Sequence, residues 1–280
     1  MKGTLYLCAT PIGNLGDVSA RCLEVFRSAD VIAAEDTRRT IQLLNHFEIA
    51  KPLTSYHEHN KAEKGAYLIS LLEEGKQVVL VSDAGTPAIS DPGEDLVRLC
   101  IEHDIPVTSI PGPVAAINAL ILSGLPTRRF SFEGFLSVNK RHRHEHLNSL
   151  KNDTHTLIFY EAPHKLRTTL DDLSRVFGGE RKIALARELT KIHEEILRMT
   201  VSEAVAYYQE QTPRGEYVLI VEGASERAEQ EEQPWMEWTV REHVDHLIKN
   251  GLSQKDAIKE AAKERGVPKR EVYQAYHIEE

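Results

Sequence analysis

Three short runs in the first half of the chain, 5–9, 78–81 and 107–110, predict strands, and each ends in a loop rich in glycine or proline. The run 78–81 predicts a buried strand, and the segment 82–93 that follows it contains two glycines, two prolines and two aspartates. Similar loops, at 10–17 and 111–113, follow the other two runs. One such loop alone is also typical of an ordinary connection to a helix. If the three strands are neighbours in one parallel sheet, their loops meet at the edge where α/β sheets bind ligands, and they line one pocket.

The order of apolar and helical patterns predicts the fold class α/β, with two α/β domains and a small helical one. From 1 to 113, strands alternate with helices, which is typical of a parallel sheet with helical crossovers. The segment 114–223 has a mixed pattern that indicates some antiparallel pairing. We interpret the Glu- and Gln-rich segment 224–234 as a linker. The last segment, 235–280, has three short helical runs and a tight turn, typical of a small helix-turn-helix-like domain.

The charge of the chain is unevenly distributed. Lysine and arginine total 34 against 43 aspartates and glutamates, a formal net charge of −9. This total argues against general attraction to nucleic acid, but not against a local basic patch. Between Lys249 and Arg270, seven basic residues accompany only three acidic ones. That pattern is typical of a solvated small bundle, which we favour, and it is also compatible with an RNA-contacting appendage.

Composition and spacing favour a cytoplasmic protein without a metal centre. The three cysteines, Cys8, Cys22 and Cys100, lie in apolar surroundings without metal-ligand spacing, which indicates reduced, buried thiols. His57 and His59 have no further histidine or cysteine cluster to complete a metal site. The chain shows no signal-peptide pattern and no apolar run as long as a membrane span. The sequence therefore predicts neither a metal nor a membrane as a partner.

Charged residues follow several of the predicted strands, at the position where such strands carry ligand-binding groups. The charged run 35–39 has two interpretations. It carries catalytic or substrate-binding side chains, or it is the turn that caps the next helix. The run 187–191 suits a phosphate clamp with a general base, although exposed ion pairing explains it as well. The basic run 140–144 indicates either a phosphate-binding patch or a solvated helix start. Walker A, GxGxxG and Gly-x-Ser-x-Gly patterns are missing from the expected contexts.

Together these motifs resemble those of the tetrapyrrole methylase superfamily, a class of S-adenosylmethionine-dependent methyltransferases. The segments that carry the resemblance are ATPIGNL at 9–15, AEDTR at 34–38, SDAGTP at 82–87, PGP at 111–113, YEAPH at 160–164, ARELTK at 186–191 and GEY at 215–217. The resemblance covers about 3–224, in the right order, and several of the motifs are long and unusual. Within the superfamily, the similarity is to members that methylate a cytidine 2'-oxygen in bacterial 16S ribosomal RNA.

The resemblance implies two α/β domains with S-adenosylmethionine in the cleft between them, and a homodimer. By motif position, the residues that would bind this cofactor are Pro11, Ile12, Asp83, Gly85, Thr86, Pro87, Ile89, Val114, Ala115, Tyr160, Ala162 and Pro213. Porphyrin-modifying relatives often carry a hydroxyl at the position of Val114, so here we expect at most a backbone contact.

The activity implied by the resemblance is methyl transfer to the ribose 2'-hydroxyl of a decoding-centre cytidine in 16S ribosomal RNA of the 30S subunit. A ribose hydroxyl is a weak nucleophile while protonated, so we expect Glu35 or Glu188 to act as a general base. Arg38, Arg187 and Lys191 would then hold the flanking phosphates. The residues expected to contribute RNA affinity are Lys140, Arg141 and Arg143.

Two other functions stay open on the residues alone. One is a methyltransferase of the same fold that acts on a tetrapyrrole or another small molecule, although such a substrate needs neither the helical tail nor the basic run. The other is a non-catalytic protein that binds a nucleotide-like ligand, which leaves the polar groups at the strand ends harder to explain.

Overall fold

The first sheet consists of five short parallel strands, and their order brings the three predicted loops together. In the computed structural model, which describes residues 1–225, 235 and 238–278, these strands are β1 Leu5–Cys8, β2 Val31–Ala34, β3 Leu53–Ser55, β4 Val78–Val81 and β5 Val107–Ile110. Their order is β3-β2-β4-β1-β5, and every neighbouring pair is parallel. β1 therefore lies between β4 and β5, as the loop argument required. The predicted parallel sheet is confirmed.

Helices cover both faces of this sheet. They are α1 Ala20–Ser28, α2 Thr37–His46, α3 Lys61–Glu73 and α4 Gly93–Glu102. Leu68, Leu72 and Leu96 of α3 and α4 belong to one apolar cluster, while Phe26 and Leu44 of α1 and α2 belong to another. Because both faces are packed, β2 and β4 are buried along their whole length, which explains why their sequences are apolar without alternation.

The second sheet is mixed, as the pattern of the middle segment predicts. Its strands are β6 Phe130–Phe135, β7 Thr156–Glu161, β8 Lys182–Arg187, β9 Glu195–Thr200 and β10 Tyr217–Val221. Their order is β6-β7-β10-β8-β9. β6 and β7 are parallel, and the other neighbouring pairs are antiparallel. The helices of this part are α5 Ala115–Ser123, α6 Lys140–Ser149, α7 Leu166–Phe177 and α8 Val201–Glu210.

The segment 111–113 joins the two sheets. It follows β5 of the first sheet, yet α5, which comes directly after it, packs against the second sheet. Ala116, Ala119 and Leu120 of α5 share an apolar cluster with Ile158 and other residues of β7, β8 and β10. The opposite face of the second sheet is covered by α6, α7 and α8. The third predicted loop therefore connects the two halves of this part of the chain.

Contacts between Cα atoms divide the chain into two compact units, Met1–Gly223 and Ala224–Glu280. The second unit contains the helices α9 Val240–Lys249, α10 Gln254–Glu264 and α11 Lys269–Ile278, which match the three helical runs of the sequence. Val244, Ile258 and Val272 form part of its small apolar core. Of the predicted linker 224–234, residues 226–234 lie outside the described residues.

All three cysteines are buried and form no disulfide. Burial raises the pKa of the Cys100 thiol to about 11, so this thiol stays protonated near neutral pH. None of the described helices is long and apolar enough to cross a membrane. In the same part of the chain, no group of three or more His, Cys, Asp or Glu side chains is arranged to hold a metal ion.

The basic run at the start of α6 is divided between solvent and the interior. Lys140 and Arg141 are exposed, whereas Arg143 is only 9% exposed. The Nε of Arg143 donates to Asp172 Oδ2 at 2.8 Å, and its Nη1 donates to the Ser137 carbonyl oxygen at 3.0 Å. The expectation that Arg143 contacts RNA is therefore corrected, because its guanidinium is committed to a buried ion pair that fastens α6 to α7.

This ion pair predicts a stability cost for Asp172→Ala. Burial opposes ionisation of Asp172, but hydrogen bonds from Arg143 and His144 outweigh it and lower the pKa of that carboxyl. Removing the carboxylate leaves a buried guanidinium unpaired, so we expect a loss of about 3 kcal/mol in the free energy of unfolding, measured by urea denaturation at neutral pH. The loss of stability should become smaller as the pH falls below about 4. Asp172 is then protonated first in the unfolded chain and, at lower pH, in the folded protein too, so its ionised form no longer stabilises the fold.

Arg141→Ala is the control, since Arg141 makes an exposed pair with Glu145, four residues further along the same helix. That substitution should cost less than about 1 kcal/mol. Equal effects of the two substitutions would show that the Arg143–Asp172 pair does not fasten α6.

Candidate active site

The three predicted loops are hydrogen-bonded to one another at the carboxyl edge of the first sheet. The Thr10 amide donates to the Gly85 carbonyl at 2.9 Å, and the Gly85 amide donates to the Thr10 carbonyl at 3.0 Å. The Thr86 hydroxyl donates to the Pro113 carbonyl at 3.1 Å. Gly85 has φ +85°, a left-handed conformation that glycine adopts without steric cost. The loops after β1, β4 and β5 therefore form one structure.

The loop after β4 owes its shape to Asp91. One Asp91 carboxylate oxygen accepts hydrogen bonds from the amides of Ala88, at 2.9 Å, and Gly93, at 2.8 Å. Ala88 and Ser90 both have a positive φ, at 68° and 64°, which is strained for residues with a side chain. Such strain persists only where surrounding contacts enforce it, and it is common at binding sites.

A cleft of about 920 Å³ is lined by these loops and by the second sheet. The first part of the chain contributes Pro11, Ile12, Gly13, Glu35, Arg39, Ser82, Asp83, Ala84, Ile89, Ser90 and Asp91. The second part contributes Ala115, Phe135, Tyr160, Glu161, Pro163, Ala186, Arg187, Glu188, Leu189, Lys191, Gly215, Glu216, Tyr217 and Val218. The two halves of the first unit thus share one site.

Most of the residues expected to be catalytic lie in this cleft, and half of those expected to bind the cofactor do. The expected residues that line it are Glu35, Arg187, Glu188, Lys191, Pro11, Ile12, Asp83, Ile89, Ala115 and Tyr160. Arg38 is not among the lining residues: its side chain is 87% exposed and pairs with Asp36. The expected cofactor residues outside the lining are Gly85, Thr86, Pro87, Val114, Ala162 and Pro213.

Each of these six residues lies within two positions of a lining residue in the sequence. Gly85 and Thr86 make the bonds between loops described above, and Pro87 is buried beside them. Val114 precedes α5, and its carbonyl accepts a hydrogen bond from Asn118 Nδ2 at 2.9 Å. The Ala162 amide donates to Glu161 Oε1, and Pro213 is half-buried.

One wall of the cleft carries three carboxylates. Burial raises the pKa of Glu35, and the negative charges of Asp83 and Asp91 raise it further. Burial also raises the pKa of Asp91. Asp83 Oδ1 accepts a hydrogen bond from the Asp36 amide at 2.9 Å, and Asp83 Oδ2 lies 3.3 Å from Arg39 Nη1. Glu35 is thus held in surroundings that favour proton uptake.

The other wall is the loop that follows β8. Lys191 Nζ donates to Glu188 Oε1 at 3.0 Å, and Glu188 itself has φ +52°. A Cβ at Gly215 would lie 2.4 Å from Glu188 Oε1, and a Cβ at Gly13 would lie 2.5 Å from Lys191 Cγ. Because glycine has no Cβ, Gly13 and Gly215 leave room for the side chains of Lys191 and Glu188. Arg187 is engaged separately, because its Nε donates to Glu195 Oε2 at 2.5 Å.

Several lining residues were missed by the sequence interpretation. Arg39 belongs to the charged run 35–39 and could have been chosen in place of Arg38, but only the fold shows which of the two faces Asp83. Asp91 carried a signal, since it stands in the loop after β4. Glu216 carried one too, since it stands in the motif GEY at 215–217, whereas Phe135 carried none, because the sequence does not show which side of β6 faces the cleft.

The fold and the cleft define a class of protein. A family model described as Tetrapyrrole (Corrin/Porphyrin) Methylases matches residues 4–205. The solved structure of the methyltransferase CobJ superposes with a TM-score of 0.60 at 18% identity, over 80% of this chain and 95% of that one. Uroporphyrin-III C-methyltransferase of Thermus thermophilus, complexed with S-adenosylhomocysteine, superposes with a TM-score of 0.56 at 18% identity, over 78% and 97%. The chain belongs to the tetrapyrrole methylase family, and the resemblance found in its motifs is confirmed.

Within this family, curated relatives with the name Ribosomal RNA small subunit methyltransferase I are similar to nearly the whole chain. The Halalkalibacterium halodurans protein is 54% identical over 278 residues, which cover 99% of this chain and 96% of that protein. The Bacillus subtilis protein is 48% identical over 279 residues, covering 99% and 95%. The Escherichia coli O157:H7 protein is 48% identical over 235 residues, covering 83% and 82%.

Proposed function

We propose that this protein uses S-adenosylmethionine to methylate the ribose 2'-oxygen of a decoding-centre cytidine in 16S ribosomal RNA of the 30S subunit. The observation that carries the proposal is one cleft that has Glu35 in an acidic wall and Glu188 and Lys191 in another. The names of the curated relatives support ribosomal RNA of the small subunit as the substrate. The proposal includes a homodimer in the cytoplasm, where 30S subunits are found.

The residues present fit S-adenosylmethionine. The cleft has a volume of about 920 Å³, which lies in the usual range for small-molecule sites, about 300–1,000 Å³. A cofactor of the size of S-adenosylmethionine is compatible with this volume. Glu35, Asp83 and Asp91 place negative charge where a cationic ligand is to be held. Gly13 and Gly215, which line the cleft, expose backbone that a ligand can approach closely. When bound, the cofactor supplies the methyl group and its leaving group.

The residues that we propose to hold the cofactor come from both halves of the cleft. Those that line it directly are Pro11, Ile12, Asp83, Ile89, Ala115 and Tyr160. Gly85, Thr86, Pro87, Val114, Ala162 and Pro213 contribute backbone or support the wall. An S-adenosylhomocysteine-bound structure among the proteins of similar fold supports this type of cofactor.

Glu35 is the favoured general base. A base works best when its pKa lies near the working pH, and burial together with Asp83 and Asp91 moves the pKa of Glu35 upward, in that direction. Glu188 is the second candidate, because it lines the same cleft. Lys191 and Arg187 provide positive charge for phosphates beside the reacting ribose, and Arg38 provides it from the surface near Asp36.

The first test is incubation with tritiated S-adenosylmethionine and either undermodified 30S subunits or naked 16S RNA, followed by mapping of the label. We expect label on one ribose 2'-oxygen of the 30S RNA, detected as resistance of that linkage to alkaline hydrolysis. Cofactor binding without RNA labelling, but with labelling of a tetrapyrrole, would instead support the small-molecule methyltransferase. Binding without any consumption of the cofactor would support a non-catalytic ligand-binding protein.

Glu35→Gln should lower the single-turnover rate about 100-fold or more. The wild-type rate should rise with pH through an inflection above the usual range for glutamate, because only the ionised carboxylate accepts the proton, and Glu35→Gln should abolish that inflection. The measurement is the rate constant across about pH 5 to about pH 9. Glu216→Gln, which changes another carboxylate of the cleft lining, is the control. A wild-type rate in Glu35→Gln and a loss in Glu188→Gln would transfer the role to Glu188, and wild-type rates in both would refute the base assignment.

Lys140 and Arg141 are proposed to contribute affinity for RNA phosphates, without Arg143. The double substitution Lys140→Ala and Arg141→Ala should weaken 30S binding and reduce the slope of log K against log salt by about 1.4 to 1.8, since each of the two neutralised phosphates contributes about 0.7 to 0.9. Lys51→Ala combined with Lys76→Ala is a charge-matched control, because both lysines precede strands and lie at the opposite edge of the first sheet. An unchanged slope in the first variant would remove the role of Lys140 and Arg141.

A further inference from the structure

A bulge in β6 turns two phenylalanines toward the same side. β6 pairs with β7 in parallel, but the register shifts between Phe132, opposite Ile158, and Gly134, opposite Phe159. Side chains alternate along a regular strand, so residues 132 and 135 would face opposite sides without the extra residue. Gly134 has φ +63°, a conformation that glycine tolerates at a bulge. The bulge therefore directs both phenylalanine rings to one face.

Both rings pack against Tyr160 of β7. The ring centroids of Phe132 and Tyr160 are 5.1 Å apart, and those of Phe135 and Tyr160 are 5.5 Å apart. We call these three residues the aromatic cluster. Tyr160 and Phe135 line the cleft that contains Glu35 and Glu188. The cluster is thus part of the wall of the candidate active site.

The cluster is open to solvent on its outer side. Phe135 is 52% exposed and Phe132 is 37% exposed, whereas Tyr160 is half-buried beneath them. The bulge lies against the loop after β4, since a Cβ at Gly134 would be 3.3 Å from Ser90 Oγ. Large apolar rings left exposed beside a polar cleft are suited to a planar partner that stacks on them.

We infer that the aromatic cluster is a nucleobase-stacking subsite, with Phe135 as the ring on which the target base, or the base next to it, stacks. This inference rests on the proposed function, because methylation of a ribose 2'-oxygen requires the target nucleotide to be held at the cleft. A ribose 2'-oxygen can reach Glu35 or Glu188 inside the cleft only if its nucleotide leaves the surrounding RNA structure. Phe135 stabilises the extruded nucleotide by offering a new stacking surface, and Tyr160 fixes the orientation of Phe135.

The experiment compares Phe135→Ala, Phe135→Leu and Phe135→Trp. Stacking on an aromatic ring contributes about 1–3 kcal/mol per base, so Phe135→Ala should lower kcat/KM for 30S subunits about 5- to 150-fold. Leucine should restore little, because it is apolar but not planar, whereas tryptophan should restore most of the activity. S-adenosylhomocysteine affinity, measured by calorimetry, should change less than about twofold, since Phe135, unlike Tyr160, is proposed to hold the RNA base rather than the cofactor. Phe130→Ala, on the same strand but outside the cleft lining, is the control.

Three results would overturn the inference: full activity of Phe135→Leu, loss of S-adenosylhomocysteine binding in Phe135→Ala, or a change of oligomeric state of that variant in sedimentation equilibrium. They would assign Phe135 to general apolar packing, to the cofactor wall or to a subunit interface, respectively.

A second measurement separates this inference from the proposed function. If the wild-type protein labels 30S RNA and Phe135→Ala does so equally well, the function stands and the subsite is refuted. If the wild-type protein labels no RNA, the function fails, and stacking is tested alone with a single-stranded oligoribonucleotide that contains 2-aminopurine. Quenching of its fluorescence by the wild-type protein but not by Phe135→Ala would support the subsite, and equal quenching would refute it.

Discussion

The position of β1 between β4 and β5 determines where the candidate site lies. Parallel neighbours end at the same edge of a sheet, so this order alone brings together the loops that follow the three strands. The hydrogen bonds between Thr10 and Gly85, and from Thr86 to Pro113, then fix those loops to each other. α5 begins directly after the third loop and packs on the second sheet. The same edge of the first sheet therefore also fixes where the part of the cleft formed by the second sheet begins.

Close contacts between loops also determine where the charged residues of the cleft lie. The loop that carries Glu188 and Lys191 lies between Gly13 of the first sheet and Gly215 of the second, and no side chain longer than glycine fits at either position without displacing it. On the opposite wall, Asp83 accepts a hydrogen bond from the Asp36 amide and pairs with Arg39, which anchors the chain next to Glu35. The nearest atoms at both glycines belong to the side chains of Glu188 and Lys191, so the missing Cβ atoms leave room for these two side chains in the cleft.

The sequence was sufficient for the elements and for part of the site. Short runs separated by helical patterns predicted the strands of both sheets. The clearest were β2, β4 and β10, because a strand buried on both faces has no polar alternation to obscure it. The loops after β1, β4 and β5 were found because glycine and proline mark them directly. Their convergence stayed conditional, since strand order depends on packing between segments far apart in the chain.

The remaining features depend on partners that no local pattern reveals. Arg143 resembles its neighbours in the basic run, and only Asp172, 29 residues away, shows that it is buried. The choice of Arg39 over Arg38 depends on Asp83, and the exposure of Phe135 to the cleft depends on one extra residue in β6. Side-chain direction in a bulged strand cannot be inferred from alternation, because the bulge breaks the alternation that the inference uses.

The net charge of −9 limits how such a protein can recognise RNA. A negative overall field opposes the approach of a polyanion, so affinity for ribosomal RNA has to come from local groups. Two kinds are present: positive side chains, namely Lys191 in the cleft and the exposed Lys140 and Arg141 at the start of α6, and the aromatic cluster of Phe132, Phe135 and Tyr160. Stacking carries no charge and is insensitive to salt, in contrast to phosphate contacts. For the proposed function, the aromatic cluster therefore supplies attraction that the acidic chain cannot obtain from electrostatics, at the place where the nucleotide must be held for reaction.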